Sequence, residues 1–198
     1  IKFMETYYPD LREHISTAKS PQQMFGTLSK TYYAEVRNIP PEKIVSVSVM
    51  PCTAKKFEAQ RPEMNASGFQ DVDYVLTTRE LARMMKEAGI DLKDMPDEPA
   101  DNPLGEYTGA ATIFGTTGGV MEAALRSAYF LVTGKELENL DILPVRGMTG
   151  VKEAEVDVQG LKLKVAVAHG LGNARKIMDK VSAQLAKDGK SEYHFIEI

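Results

Sequence analysis

Apolar residues in this chain recur with two periods that alternate along its length, and that alternation narrows the possible folds more than any single motif. From Lys43 to Met50, Val45, Val47 and Val49 alternate with Ser46 and Ser48, the two-residue period of a half-buried strand. Asp73 to Thr77 reads as a second short strand, and Thr78 caps a helix whose apolar face is Leu81, Met84, Met85 and Ala88 and which Gly89 ends. Glu155 to Val158 and Leu161 to Val167 alternate around Gln159-Gly160, a hairpin pattern. Tyr193 to Ile198 reads as a final strand. The helical period governs other stretches. Ile1 to Tyr8 is the end of a helix stopped by Pro9, and Ser20-Pro21-Gln22-Gln23 opens a helix to about Val36 in a capping-box arrangement. Val120, Ala123, Ala124, Ser127, Ala128 and Leu131 share a face up to Gly134, and Ala174, Ile177, Met178, Val181 and Leu185 share another. Strands interleaved with helices place the chain in the α/β class.

Composition excludes several kinds of function. The 24 basic and 28 acidic side chains give a net charge of -4, and Lys and Arg are scattered, so a nucleic-acid partner is not expected. Nothing approaches the ~20 apolar residues of a membrane helix, so no membrane insertion is expected. A single cysteine, Cys52, cannot form an internal disulfide. Asp91 to Tyr107 holds six acidic residues and four prolines or glycines, which marks an exposed linker. We expect a first α/β segment over 1–104 and a second over 105–198. The chain starts and stops inside patterned segments, so both ends read as cuts in a larger polypeptide.

The stretch Met50-Pro51-Cys52-Thr53-Ala54-Lys55-Lys56-Phe57-Glu58 carries the most chemistry. A cysteine directly after a strand, with lysines three and four residues on, has nearby positive charge and turn amides to favour a thiolate, hence a metal ligand or nucleophile. The competing reading is a buried, inert cysteine. His14, His169 and His194 have no metal-ligand spacing and read as structural or surface residues. Gly115-Thr116-Thr117-Gly118-Gly119 opens a helix and could cradle a phosphate on free amides, but it lacks the P-loop and dinucleotide spacings. Close backbone packing is the other reading of those glycines. The charges at Asp97, Glu98 and Lys152 to Asp157 read as a solvated face.

Met50-Pro51-Cys52-x-x-Lys55-x-x-Glu58 resembles the second of three signature motifs of the iron-only hydrogenases, whose active centre is the H-cluster. Ser16-Thr17-Ala18-Lys19-Ser20-Pro21-Gln22-Gln23, Gly105-Glu106-Tyr107, Phe114 through Arg126, and Val145-Arg146-Gly147 to Glu155 resemble that family in the same order, covering essentially the whole chain. The resemblance implies two lobes of mixed β-sheet flanked by helices, with an active-site cleft between them. It implies reversible reduction of protons to hydrogen at a diiron subcluster with CO and CN ligands, linked to a [4Fe-4S] cluster.

By the same resemblance Cys52 is one ligand of the [4Fe-4S] cluster, and the remaining cysteines belong to the first and third motifs, which lie outside this chain. Taken alone, the chain is expected to be inactive. Lys55 corresponds to the lysine that donates to cyanide, and Ser16 to a serine of the proton path. Ser20, Pro21 and Gln22 align with residues around the cyanide and carbonyl ligands, and Met50, Phe114 and Val120 with apolar lining. Glu58 is expected to pair with a neighbouring lysine. Ordinary alternatives are a surface lysine, a loop serine, a helix cap and core packing. Implied partners are a ferredoxin-type electron carrier or iron-sulfur domains of the parent chain, and maturation enzymes; the implied compartment is the cytoplasm, with periplasmic members also in the family. The competing function is a hydrogenase-like iron-sulfur assembly or interaction protein without hydrogenase activity.

Overall fold

The computed structural model describes residues 1–105, 108–138 and 150–198, with the backbone alone of 143–144. Glu106, Tyr107 and Val145 to Gly147, part of the family-like pattern, lie outside the described residues. In chain order the elements are α1 (Lys2–Tyr7), α2 (Pro21–Leu28), α3 (Ala34–Arg37), β1 (Val47–Met50), α4 (Ala54–Ala59), β2 (Tyr74–Thr77) and α5 (Thr78–Glu87). There follow α6 (Gly109–Ile113), α7 (Gly119–Thr133), β3 (Leu143–Pro144), β4 (Val151–Val158), β5 (Leu161–Ala168), α8 (Leu171–Asp188) and β6 (Phe195–Glu197). A π-helical stretch, Ser29–Tyr33, joins α2 to α3, so the expected single helix to Val36 is three helical segments in series. Among the described residues, no helix is long and apolar enough to cross a membrane.

The chain folds as two compact units, Ile1–Ile15 with Tyr107–Ile198, and Ser16–Glu106. Residues 1–15, grouped by sequence order with 1–104, pack in the other unit for a specific reason. Leu11 joins a core with Ile177, Met178 and Val181 of α8, the Arg175 guanidinium lies over the Phe3 and Tyr7 rings, and the Tyr8 hydroxyl donates to Asp179 at 2.6 Å.

In that unit the strand order is β3-β4-β5-β6, antiparallel except for the parallel β5–β6 pair. The hairpin turn is the expected one: Gln159 and Gly160 both have positive φ, 53° and 88°, the requirement of a tight two-residue connection matched to strand twist. Its register, Val158 opposite Leu161, lets both faces of the sheet be used. Ala154, Val156, Val158, Val165 and Val167 pack with Met121 and Leu125 of α7. Val151, Ala166 and Ala168 pack instead with α8. Glu153 is not a solvated charge: it meets Lys164 at 3.4 Å, Lys180 at 3.6 Å and the Tyr193 hydroxyl.

In the other unit β1 and β2 pair in parallel, Val47 opposite Tyr74 through Met50 opposite Thr77. The strand is shorter than its alternating pattern, and its faces are reversed. Val47 and Val49 are 51% and 43% exposed, whereas Ser46, Ser48 and Met50 are half-buried. The Asp73 carboxylate accepts from the Ser46 amide at 2.7 Å, and the Ser48 hydroxyl donates to Gln22 at 2.7 Å. Ser48 therefore faces inward because a hydrogen-bond partner waits there. The cap of α5 is Thr77, one residue before the expected Thr78: Thr77 accepts from the Glu80 amide at 3.2 Å and Glu80 accepts from the Thr77 amide at 2.7 Å, a reciprocal capping box.

Candidate functional site

Cys52 lies two residues beyond β1, at the carboxyl end of the parallel β1–β2 pair, where α/β folds characteristically expose their functional groups. Its thiol is free and exposed, which removes the buried, inert alternative. Thr53 is the N-cap residue of α4, and Lys55 lies on its first turn.

Around α4 the hydrogen bonds converge on one carboxylate. Glu58 accepts from Lys55 Nζ at 2.9 Å, from Gln22 Nε2 at 3.1 Å and from the Ser20 hydroxyl. Gln22 Nε2 also reaches the Lys55 carbonyl at 3.3 Å, and its Oε1 takes the Ser48 hydroxyl. Burial alone would raise the Glu58 carboxyl, but the donors outweigh it. Ser20, then Lys55 through hydrogen bond and charge, then Gln22 hold it below the usual carboxylate range. The cluster is thus a half-buried anion with three donors, one of them a cation. Lys56 points elsewhere, to Glu80 at 2.8 Å and the Val75 carbonyl at 2.8 Å. That pairing, followed by the Thr77 amide and hydroxyl, pulls Glu80 down to about 2.

The structure therefore brings together Ser20, Gln22 and Lys55 through Glu58, with Met50 and Cys52 in sequence at the end of β1. Ser20 is not the hydroxyl half of a capping box: its side chain makes no bond to α2 and is given to Glu58. Gln23, the expected other half, is fully buried and its amide has no partner among the described residues. Pro21 is the exposed first residue of α2. Ser16 is exposed, and its hydroxyl accepts from the Ala18 amide at 3.2 Å. Phe114 and Val120 belong to the other compact unit, each 38% exposed, so neither is a core residue there. Ser48 was missed: strand alternation alone assigns it to the solvent side, and only the presence of Gln22 above it reverses that.

Two buried ion sites hold the scaffold. Lys30, on the π-helical stretch, donates to both Asp73 oxygens at 2.9 and 2.7 Å and to the Gln70 carbonyl at 2.6 Å. Fully buried Asp71 accepts from the Ala66 and Ser67 amides, each at 2.9 Å. α2 approaches it closely, because a Cβ on Gly26 would stand 2.3 Å from the Asp71 carbonyl oxygen.

Among the described residues no three His, Cys, Asp or Glu side chains gather as a metal site. The donor set is one accessible thiol beside a lysine, which suits one corner of a cluster whose other ligands come from elsewhere. The ammonium has three N–H donors, so its bond to Glu58 leaves capacity for an anionic acceptor.

The family model for the iron-only hydrogenase large subunit, C-terminal domain, matches residues 1–198. The chain is 55% identical over 196 residues to the periplasmic [Fe] hydrogenase large subunit of Nitratidesulfovibrio vulgaris, covering 99% of this chain and 45% of that one. It is 34% identical over 191 residues to cytosolic iron-sulfur assembly component 3 of Pongo abelii, covering 93% and 39%. Its fold matches a solved apo [FeFe]-hydrogenase variant of Chlamydomonas reinhardtii with a TM-score of 0.81 at 40% identity, over 99% of this chain and 55% of that one. The chain thus spans less than half the length of these two curated relatives.

Proposed function

The chain belongs to the iron-only hydrogenase large-subunit family, and from that premise we propose that it forms part of a catalytic domain that reversibly reduces protons to hydrogen at an H-cluster. The observation that carries this reading is the exposed Cys52 thiol at the carboxyl end of β1, followed one turn later by the Glu58-held Lys55. Cys52 would ligate the [4Fe-4S] cluster, the remaining cysteines coming from other parts of the whole protein. When bound, the diiron subcluster supplies the electron-transfer and hydrogen chemistry.

The chain's own residues orient and insulate. Lys55 would donate to a cyanide ligand, and Glu58 fixes the ammonium's direction while Ser20 and Gln22 fix Glu58. Pro21 at the start of α2 lies between those two donors in sequence. Ser16 would pass a proton, since its hydroxyl both accepts and donates. Met50, Phe114 and Val120 would exclude water from the metals. Electrons would come from a ferredoxin-type carrier or iron-sulfur domains of the whole protein, and maturation enzymes would insert the diiron group. Cytoplasm and periplasm both suit this reading. The 34% identity to an iron-sulfur assembly component supports a second reading, an assembly protein without hydrogenase activity; the 55% identity over nearly the same span favours the enzyme.

The test is anaerobic infrared spectroscopy with a hydrogen-evolution assay on the full-length protein, matured with the accessory enzymes. Carbonyl and cyanide bands with activity that collapses in Cys52→Ala and Lys55→Ala are expected. A protein that binds a cubane cluster but shows no such bands and evolves no hydrogen overturns the enzyme reading in favour of the assembly protein.

A further inference from the structure

The start of α7 lacks a cap of its own. Its N-cap is Gly118, with φ 87° and no side chain, and Gly119 follows where a Cβ would stand 1.7 Å from the Ile113 carbonyl oxygen. The turn can be this tight only with glycine at both positions, which costs the helix the usual Ser, Thr, Asp or Asn acceptor. Two amides at this helix start are satisfied from far along the chain. The Glu197 carboxylate accepts from the Gly118 amide at 3.2 Å through one oxygen and from the Met121 amide at 2.7 Å through the other. A negative charge there also suits the positive end of the helix. The phosphate-cradle reading of this loop is therefore overturned: the Gly118 and Met121 amides are already occupied by the protein's own carboxylate, and the Thr116 and Gly119 amides by backbone carbonyls.

Glu197 lies on β6 opposite Val167 of β5, and Val167 packs with fully buried Met121. One bidentate carboxylate thus ties the sheet to the first turn of α7. Val120 stands between Gly119 and Met121 on that turn, exposed where its neighbour is buried. We propose that Glu197 is a positioning residue that sets the rotation and depth of the first turn of α7, and through it the placement of the Val120 side chain. This rests on the reading of Val120 as apolar wall given above.

The test compares Glu197→Ala, Glu197→Gln and Val120→Ala in the full-length protein. In the metal-free form, amide exchange followed by mass spectrometry is expected to accelerate about tenfold across 118–123 in the alanine variant and less in the glutamine variant, which keeps one acceptor oxygen. Exchange in the β4–β5 hairpin should be unchanged. No acceleration, or acceleration spread evenly over the hairpin, overturns the proposal. In the matured form, the carbonyl infrared bands of Glu197→Gln should move in the same direction as those of Val120→Ala. Parental bands in Glu197→Gln beside shifted bands in Val120→Ala would reduce Glu197 to a helix cap and overturn its positioning role. Unmoved bands in Val120→Ala itself would overturn the wall reading and the functional half of this inference with it, leaving the exchange result to stand for the cap alone.

Discussion

β1 and β5 carry the same signature, valines alternating with other residues, and use it in opposite ways. In β5, Val165 and Val167 are almost completely buried against α7, and Ala166 and Ala168 are buried against α8. In β1 the valines are the exposed set, while the Ser48 hydroxyl turns toward Gln22 and, just before the strand, the Ser46 backbone amide donates to Asp73. Period-two alternation identifies a strand, but it does not say which face is inward. In β5 apolar area decides, because helices cover both faces. In β1 the deciding term is a buried acceptor, Gln22 Oε1, that would otherwise go unpaired, and Gln22 belongs to the cluster that holds Lys55.

The sharpest way to break this contrast is to put serine where β5 has valine. Val165→Ser removes a fully buried side chain and leaves a hydroxyl in the core, at a cost of about 3 kcal/mol from lost burial and an unpaired polar group. The expected reading is a lowered urea midpoint for the full-length, metal-free protein, with amide protection lost throughout β4, β5 and α7. A loss below about 1 kcal/mol would mean that the valine face of β5 is not the energetic core.

The reverse exchange in β1 is expected to hurt by a different mechanism. Ser48→Val removes the donor to Gln22 Oε1, on a residue 6% exposed, and leaves that acceptor buried and unpaired. Valine's higher strand propensity does not compensate, and a loss of about 1–2 kcal/mol is expected, confined to 46–59. Amide exchange across that segment reads it directly. A neutral or stabilising Ser48→Val would show that the inward serine is incidental, and the contrast between the strands would collapse.

Legibility in the sequence followed the same division. The hairpin, α8 and the α/β class were readable because apolar period, turn glycines and burial agree there; α7 was readable as a helix, but its buried side is Met121, Ala123 and Leu125, and Val120, Ala124, Ser127, Ala128 and Leu131 of the expected face are exposed. The Cys52 and Lys55 neighbourhood was readable as motif, and Glu58 was correctly paired with a lysine. The rest of the cluster was not. Ser20 looked like a cap because its position is that of a cap, yet its hydroxyl is drawn off by Glu58, 38 residues away. Glu197 was invisible for the same reason: nothing near it in sequence announces a helix start 76 residues earlier. Long-range polar contacts leave no period, so pattern reading finds the frame and misses the partners that lock it.

The smallest expected effect concerns the polar cluster on the β5 side, which unlike the Glu58 cluster carries no proposed chemistry. Lys164 and Lys180 each reach Glu192 at 2.6 Å, and Lys180 Nζ donates to the Tyr193 hydroxyl at 2.6 Å. Lys164, then Lys180, pull the Glu192 carboxyl down to about 2 against the opposing effect of burial. Burial first, then the bond to Glu153, push the Tyr193 phenol up to about 12. A carboxyl lowered by folding stabilises above its unfolded value and loses that contribution as pH falls toward 2. A phenol raised by folding stabilises below its unfolded value of ~10 and loses that contribution as pH rises through 12. The urea midpoint should therefore be flat between about pH 5 and 9 as far as this cluster is concerned, and fall on both sides. Because Lys164, Lys180 and Glu192 are each about a third exposed, the cluster's share is about 1 kcal/mol or less on either limb. Glu192→Gln should flatten the acid limb and Tyr193→Phe should reduce the alkaline one, the lysines keeping part of the latter. If Glu192→Gln leaves the acid limb unchanged while Glu58→Gln flattens it, the pH sensitivity resides in the Lys55 cluster, and the contrast between an electrostatically active β1 side and a passive β5 side is stronger than the distances alone indicate.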